Sequence, residues 1–274
     1  LTAVESWLMR RMMMRLPSAD LGRVVANLIA TNRGSEPAGL GARLQDQLAR
    51  ERTASAYWPG DADVRKALAD LPAYRAYGRT RLRMMLEAVE DAHRGFAAGG
   101  RARAGSRIPR ATMHIEHLLP RSWKRHWPVP DLAAEIARNE HVHRLGNLTL
   151  LTRTLNSEVS NGPWAGAGGK HAALQAHDVC LMTRAVRQHH ADGWDEHDID
   201  VRTRQMIDFL LATWPVPAEH EGHVDQPVAA DAYVSASQLV AAGLLAPGTE
   251  LLPRDSGLRS VVITDRGGFR LDGQ

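Results

Sequence analysis

Cysteine is almost absent from this 274-residue sequence, which has a single copy at Cys180. A disulfide within the chain is therefore excluded, and no pair of cysteines exists to hold a structural zinc ion. This cysteine usage fits a reducing cytoplasm, where we expect the protein to work. Long hydrophobic runs are missing as well, since none approaches the roughly 20 residues that span a bilayer. The first residues also lack the features of a signal peptide, so we expect no membrane partner.

Lysine is nearly as scarce, because Lys66, Lys124 and Lys170 are the only lysines among 34 basic side chains. Arginine supplies the rest, against 31 acidic residues, and the formal net charge is +3. The bases concentrate between Arg101 and Arg125, where Glu116 is the only acid. Such a segment is either a solvated basic loop or a surface that faces phosphate. We favour the phosphate-facing surface because the bases flank a second unusual feature.

Hydrophobic residues make up 44% of the chain and charged residues 24%, which is typical of a globular protein. Helical periodicity is frequent, as in Leu82, Met85, Leu86 and Val89, which share one apolar face. Two strand-like runs interrupt it, ATMHIEHLLP and LGNLTLL. The sequence therefore predicts a mainly α fold with a small α+β core.

We predict three parts along the chain from changes in composition. Residues 1–217 form a helical domain, with a strand, strand and helix element at about 112–170. A proline-, alanine- and acid-rich linker follows at 218–232. Residues 233–274 change character and form a small C-terminal α/β module, which the end of the chain could truncate. Because the chain begins with Leu1, we also expect it to be a fragment or a processed form.

The run from Met113 to Trp123 places three ionisable side chains among apolar ones. In a strand, His114 and Glu116 share one face and His117 lies on the other. A carboxylate binds a hard cation such as Mg²⁺, and a neutral imidazole takes a proton from water. Together they could hydrolyse a phosphodiester. The alternative is that these are ordinary packed side chains; the spacing is not HExxH, so a helical zinc protease is disfavoured.

The pattern around this run resembles that of the HNH, or His-Me finger, nucleases. Glu116, His117 and Pro120 match the first strand of that element. The second strand is matched by the five residues Asn147-Leu148-Thr149-Leu150-Leu151, and the helix that follows it by Asn156. Many HNH proteins carry zinc-binding cysteines where this chain has Thr152 and Leu155, so no structural zinc is expected.

A closer resemblance is to the C-terminal nuclease domain of GmrSD-type, type IV restriction endonucleases. That family reads IEHILP, LGNLTLL and then N…SN…F…K. The matching residues here are Ile115 to Pro120, Leu145 to Leu151, Asn156, Ser160-Asn161, Trp164 in the aromatic place, and Lys170. The flanking segments agree as well, and the resemblance covers roughly residues 1–217.

The resemblance, checked against the chemistry of each side chain, implies roles for the site residues. His117 is the predicted general base, and Asn147 holds the loop that faces it. Glu116 and Asn156 are predicted ligands of Mg²⁺ or Mn²⁺, with His114 a weaker candidate. The predicted phosphate-binding or positioning residues are Arg110, Arg121, Asn161 and Lys170. The histidines that show no partner at metal-ligand spacing are His126, His141, His143, His189 and His190.

The function that follows from the resemblance is a metal-dependent endonuclease or nickase acting on double-stranded DNA. It would serve restriction of foreign or modified DNA, including phage DNA. The family usually carries an N-terminal sensor domain, which we expect as a partner of this part. Two other interpretations stay open: a non-catalytic DNA-binding or partner-interaction fragment with a degenerate HNH element, and an RNA-directed nuclease.

Overall fold

A computed structural model gives the fold of the chain with its side chains. It describes residues 2–96, 105–110, 112–155, 157–166, 168–225, 236–251, 260–265 and 268–271. Over these ranges, every helix is too short or too polar to cross a membrane.

Most of the regular structure in the described residues is helical, with two small sheets, as the sequence predicts. The helices are α1 (Thr2–Met13), α2 (Leu21–Asn32), α3 (Leu40–Ala49), α4 (Asp61–Leu68), α5 (Ala73–Ala76), α6 (Arg79–His93), α7 (Leu132–His141), α8 (Ser157–Asn161), α9 (Lys170–Ala173), α10 (Leu181–His189), α11 (Glu196–Thr213) and α12 (Ala236–Ala241).

The first sheet contains the two runs that the sequence predicts as strands. Strand β1 (His114–His117) pairs antiparallel with β2 (Leu148–Leu151), and Glu116 lies opposite Thr149. Helix α8 follows β2 along the chain. The second sheet has the order β3 (Glu250–Leu251), β4 (Val261–Ile263) and β5 (Phe269–Leu271), with both pairs antiparallel.

The chain divides into two compact units. The first comes from Leu1–Trp127 and His141–Ala229, and the second from Pro128–Glu140 and Ala230–Gln274. The described part of the predicted linker packs within the first unit. The Asp225 amide donates to the Arg52 carbonyl at 3.0 Å, and a ring nitrogen of His220 lies 2.8 Å from the Trp58 carbonyl. The first unit therefore extends past residue 217.

Helices α6 and α11 form the centre of the first unit. The predicted apolar face of α6 is completely buried, with Leu82, Met85, Leu86 and Val89 each 0% exposed. Helix α11 packs against α6 and against the 3-10 turn Leu145–Asn147 that precedes β2. Its start is fixed because Asp195 Oδ1 accepts from the Asp198 amide at 3.0 Å, which satisfies a backbone donor of the first turn.

Helix α11 also fixes the entry into β2. The buried Arg202 donates from Nη1 to the carbonyls of Gly146, at 2.5 Å, and Leu148, at 2.7 Å. Thr203 Oγ1 accepts from the Gly146 amide at 3.0 Å. Burial lowers the pKa of the Arg202 guanidinium to about 9. Because two adjacent residues of one helix hold this segment, β2 has a rigid support beneath it.

Candidate active site

Asn147 joins the end of β1 to the start of β2 and is completely buried. Its Oδ1 accepts from the Leu119 amide at 2.7 Å and from Trp194 Nε1 at 3.1 Å. Its Nδ2 donates to the carbonyls of Leu119, at 2.9 Å, and Val142, at 2.8 Å. All four hydrogen bonds of the side chain go to other groups of the protein, so Asn147 has a structural role. It fixes the segment that follows His117, and we call it the Asn147 clamp.

Glu116 is held by two side chains from the region after β2. Lys170 Nζ donates to Glu116 Oε1 at 2.7 Å, and Ser160 Oγ donates to the same oxygen at 2.7 Å. Lys170 Nζ also donates to the carbonyls of Ser160, at 2.8 Å, and His117. The ammonium group is 0% exposed, and its three hydrogens are all used. Burial lowers the pKa of Lys170, while the neighbouring carboxylate opposes that change.

The imidazole of His117 lies at the end of β1 in an aromatic environment. The Tyr74 ring meets it edge-on at 4.2 Å between centroids, and the His143 ring lies 5.5 Å away. His117 is 6% exposed, and its buried Nε2 has no hydrogen-bond partner among the described residues. The same is true, within that part of the chain, of the buried Nδ1 of His143. Unpaired buried polar atoms are costly, and their presence side by side marks this place as unusual.

Both imidazoles are held neutral. Burial lowers the pKa of His117 to about 2, and positive charge from Lys170, Arg121 and Arg79 adds to that effect. Burial and the positive charges of Arg75, Arg121 and Arg79 lower the pKa of His143 to about 4. A neutral imidazole is the form that accepts a proton, although a low pKa makes it a weak base until negative charge comes near.

A further histidine lies on the Glu116 side of the sheet. His177 Nδ1 accepts from the Thr152 amide at 3.2 Å and lies 2.8 Å from Thr152 Oγ1. Because the amide can only donate, Nδ1 is unprotonated and the neutral ring carries its hydrogen on Nε2. Burial lowers the pKa of His177, and the Glu116 carboxylate opposes this.

The structure brings four of the predicted site residues into one connected set: Glu116, His117, Asn147 and Lys170. The contacts of Lys170 leave no hydrogen for a phosphate in this conformation, so a direct phosphate contact by Lys170 lacks geometric support. Its observed role is to fix Glu116 against α8.

The remaining predicted residues have different surroundings. Arg110 pairs with Asp91 at 2.5 Å, and it is absent from the charges that act on His117. Its predicted phosphate contact would therefore compete with a buried carboxylate. Arg121 is exposed and lies 5.8 Å from the centroid of the Tyr74 ring. His114 is exposed on β1, Asn161 is half-buried in α8, and Asn156 lies outside the described residues.

The fit of a divalent cation rests on few protein ligands. Where the chain is described, no three His, Cys, Asp or Glu side chains are grouped to hold a metal ion. The hydrogen bonds that Glu116 accepts from the described residues Ser160 and Lys170 both end on Oε1, so these bonds leave Oε2 for a cation. One carboxylate oxygen fits Mg²⁺, which keeps several waters and takes the rest of its ligands from substrate phosphate.

Sequence reasoning missed the residues that surround His117 from other segments. Tyr74, Arg75 and Arg79 come from α5 and the start of α6, about forty residues before β1. His143 lies just before β2, and we interpreted it only as a residue without metal-ligand spacing. The one available signal was the composition of YRAYGR, which interleaves arginine and tyrosine.

No curated protein and no solved structure matches the chain. The family model of the GmrSD restriction endonucleases, C-terminal domain, matches residues 58–209. That range includes β1, β2, the Asn147 clamp and the Glu116–Lys170 pair, together with Tyr74 and its arginines. On this match over more than half of its length, the chain belongs to the GmrSD restriction endonuclease family, whose C-terminal domain it contains.

Proposed function

We propose that this chain is the nuclease part of a restriction system, a divalent-metal-dependent DNA endonuclease or nickase of the HNH type. The observation that carries the proposal is the buried His117 imidazole at the end of β1, one residue after a carboxylate that Lys170 holds in place. Two ionisable groups at the end of a rigid strand are more than packing requires. Family membership supports the reaction class.

His117 is the proposed general base. It takes a proton from a water molecule, whose oxygen attacks phosphorus as the bond to the 3′ oxygen breaks. The products are a 5′ phosphate and a 3′ hydroxyl, the latter after protonation of the leaving oxygen by solvent. Burial is the largest cause of the low pKa of His117, and positive neighbours add to it. An anionic phosphate offsets the positive charge, so substrate binding raises the basicity of the ring.

Glu116 is the proposed protein ligand for Mg²⁺ or Mn²⁺, with Asn156 and His114 as further candidates. The cation, when bound, supplies positive charge that stabilises the negative oxygens of the reacting phosphate. Lys170 and Ser160 keep the Glu116 carboxylate in one orientation. Asn147 keeps the backbone after His117 in place, and so orients the base.

Plasmid nicking tests the proposal directly. Supercoiled plasmid is incubated with the protein and Mg²⁺ or Mn²⁺, beside an EDTA control and the variants His117→Ala and His117→Gln. We expect relaxed or linear plasmid with the wild type, no product in EDTA, and at least a hundredfold loss in both variants.

The matched control is His189→Ala, which removes an exposed histidine of α10. It should nick like the wild type. Far-ultraviolet circular dichroism of each variant shows whether the fold persists. A folded His117→Gln protein that nicks at the wild-type rate would end the catalytic assignment.

An alternative function is a DNA-binding or partner-interaction fragment with a degenerate HNH element. The pairing of Glu116 with the buried Lys170 favours it, because a cation has to bind beside that ammonium group. This alternative predicts metal-independent DNA binding without nicking. RNA of the same length, included as a second substrate, tests the RNA-directed nuclease.

The proposal extends to the setting of the protein. We place it in the cytoplasm, where its single cysteine stays reduced and phage DNA enters. We also propose that it works with an N-terminal sensor domain that recognises the modified DNA.

A further inference from the structure

Tyr74 organises a group of arginines beside His117. The Arg79 guanidinium stacks on the Tyr74 ring, with 3.4 Å from Cζ to the centroid, and Arg79 Nη1 donates to the Tyr74 carbonyl at 2.6 Å. The Arg121 guanidinium lies 5.8 Å from the same ring. Stacking on an aromatic face holds a guanidinium in place while leaving its edge free to bind an anion.

The backbone ties these segments together. The Tyr74 amide donates to the His143 carbonyl at 3.0 Å, which joins α5 to the segment before β2. Arg75 follows Tyr74 in α5, and its charge acts on His143. Arg121 follows Pro120 just beyond β1. The three arginines therefore come from two parts of the chain that are remote in sequence: Arg75 and Arg79 from α5 and the start of α6, and Arg121 from the segment after β1.

Arg75, Arg79 and Arg121 differ from Arg107, Arg110 and Arg144 in their lack of a counter-ion in the part of the chain that the structure describes. Among the described residues, none of them forms an ion pair with a carboxylate. By contrast, Arg107 and Arg110 pair with Asp91, and Arg144 pairs with Asp70 and Asp200. Exposed like charges repel one another, and a group of three without a counter-ion favours an anion.

The two imidazoles lie next to these arginines. Among the described residues, His117 Nε2 and His143 Nδ1 are buried without hydrogen-bond partners. Burial lowers the pKa of both rings, and the positive charges of Arg79 and Arg121 lower it further. The group lies next to a candidate general base, which is where a substrate phosphate has to bind. The name arginine cluster is used below for Arg75, Arg79 and Arg121.

We propose that the arginine cluster, held by Tyr74 beside His117, is a binding site for a backbone phosphate of double-stranded DNA. Its ligand class rests on the proposed function. A phosphate contact by Arg121 is already predicted from the sequence, and the site adds Arg75 and Arg79, which come from a helical segment before β1 and have no role in that function. Guanidinium groups bind phosphate oxygens through paired N–H donors, and these contacts position the strand without reading its sequence.

The test is DNA binding without cleavage. A fluorescent 20-base-pair duplex is titrated in EDTA, at salt concentrations from 50 to 200 mM, with wild type, Arg121→Gln, and the double variant Arg79→Gln/Arg121→Gln. Affinity falls as salt rises, and each lost phosphate contact makes the slope of log affinity against log salt concentration less negative by about 0.9. We expect weaker binding in both variants, about three- to tenfold per arginine at low salt, with the larger loss in the double variant.

The matched control is Arg33→Gln/Arg204→Gln, which removes two exposed arginines, one directly after α2 and one in α11, that pair with no carboxylate of a described residue. It has the same net charge as the double cluster variant, and it should keep wild-type affinity and slope to within twofold. Arg79→Lys retains the charge without the paired donors, and we expect an intermediate affinity. Arg121 is exposed and forms no hydrogen bond or ion pair with another described residue, so the result for Arg121→Gln does not depend on the stability of α5.

The outcomes separate this inference from the proposed function. Cluster variants that bind the duplex like the wild type, or control variants that weaken binding equally, overturn the inference even if His117→Ala abolishes nicking. A loss confined to RNA of the same length overturns the assignment to DNA. Loss of duplex binding in the cluster variants alone supports the inference, even if the wild type nicks nothing.

Discussion

Lys170 and Glu116 form a buried ion pair, with 2.7 Å between Nζ and Oε1, that ties α9 to β1. The side chain of Lys170 is 0% exposed and that of Glu116 is 15% exposed. Because desolvated charges are costly unless they are paired, each residue depends on the other. A change to this pair should therefore alter both the geometry of the candidate site and the stability of the fold.

The first prediction concerns this pair. Lys170→Met leaves the Glu116 carboxylate without its cation, and we expect the free energy of unfolding to fall by about 3–5 kcal/mol. The double variant Lys170→Met/Glu116→Gln should recover part of that loss, because it removes the unpaired charge. Urea denaturation at pH 7 measures both.

Arg65→Gln is the control for this experiment. Arg65 pairs with Asp208 on the surface, where both side chains are about half exposed. Such a pair contributes about 1 kcal/mol or less. A Lys170→Met protein no less stable than Arg65→Gln would show that the buried pair is unimportant.

The second prediction concerns the Asn147 clamp. Asn147→Ala leaves the Leu119 amide and the Trp194 indole N–H without their acceptor, and the carbonyls of Leu119 and Val142 without this donor. We expect a loss of about 2–4 kcal/mol in the free energy of unfolding, since buried groups without partners cost about 1–3 kcal/mol each. If nicking is observed, it should fall at temperatures where the variant is still folded. A variant with wild-type stability would contradict the clamp.

The third prediction tests the close approach of α11 to the β2 entry. A Cβ atom on Gly146 would lie 2.1 Å from the Ile199 carbonyl oxygen and 2.5 Å from Thr203 Oγ1. Gly146→Ala should therefore force α11 away and lower the thermal midpoint strongly. Gly41→Ala is the matched control, because Gly41 lies in α3 with nothing within 4 Å of the added atom. That control should be stabilised by up to about 1 kcal/mol.

The fourth prediction concerns pH. Burial lowers the pKa of His93 and of His143 to about 4, from 6.5. Between pH 6.5 and 4 the unfolded chain binds protons at these residues and the folded protein does not. Stability is therefore full above pH 6.5 and declines as the pH falls, by up to about 1.4 kcal/mol per pH unit for each such histidine.

Urea midpoints measured from pH 7.5 to 5 check this, with His93→Gln and His143→Gln beside the wild type. The readout is the slope against pH, which each variant should reduce, whatever its stability at pH 7.5. Slopes that stay the same in both variants would show that other groups cause the acid sensitivity.

The fold class could be predicted because its signals are local. The apolar spacing of α6 is readable in sequence, and so are the strand-like runs that became β1 and β2. The composition of the chain after residue 233 indicated a helix followed by strands, and the described elements α12, β3, β4 and β5 lie there. The family could be inferred as well, since its motif occupies short continuous segments.

The surroundings of His117 could not be predicted, because no pattern in the sequence pairs residue 74 with residue 117. Tyr74 reaches His117 only after α5 packs beside the segment that precedes β2. The same holds for Lys170, which the motif identified but whose buried pairing with Glu116 depends on the position of α9. Side-chain type is written in the sequence, whereas burial and partners follow from packing.

The amino-acid sequence by itself determined which groups are available: the imidazole at 117, the carboxylate at 116, the amide at 147, many arginines and a single cysteine. Only the tertiary structure decided which of them meet. It committed Lys170 and Asn147 to internal hydrogen bonds and paired Arg110 with Asp91. It left Arg79 and Arg121 beside His117, and Arg75 beside His143. The physical reason is that a charge is neutralised or left free by its neighbours in space, and the chain sets those neighbours only when it folds.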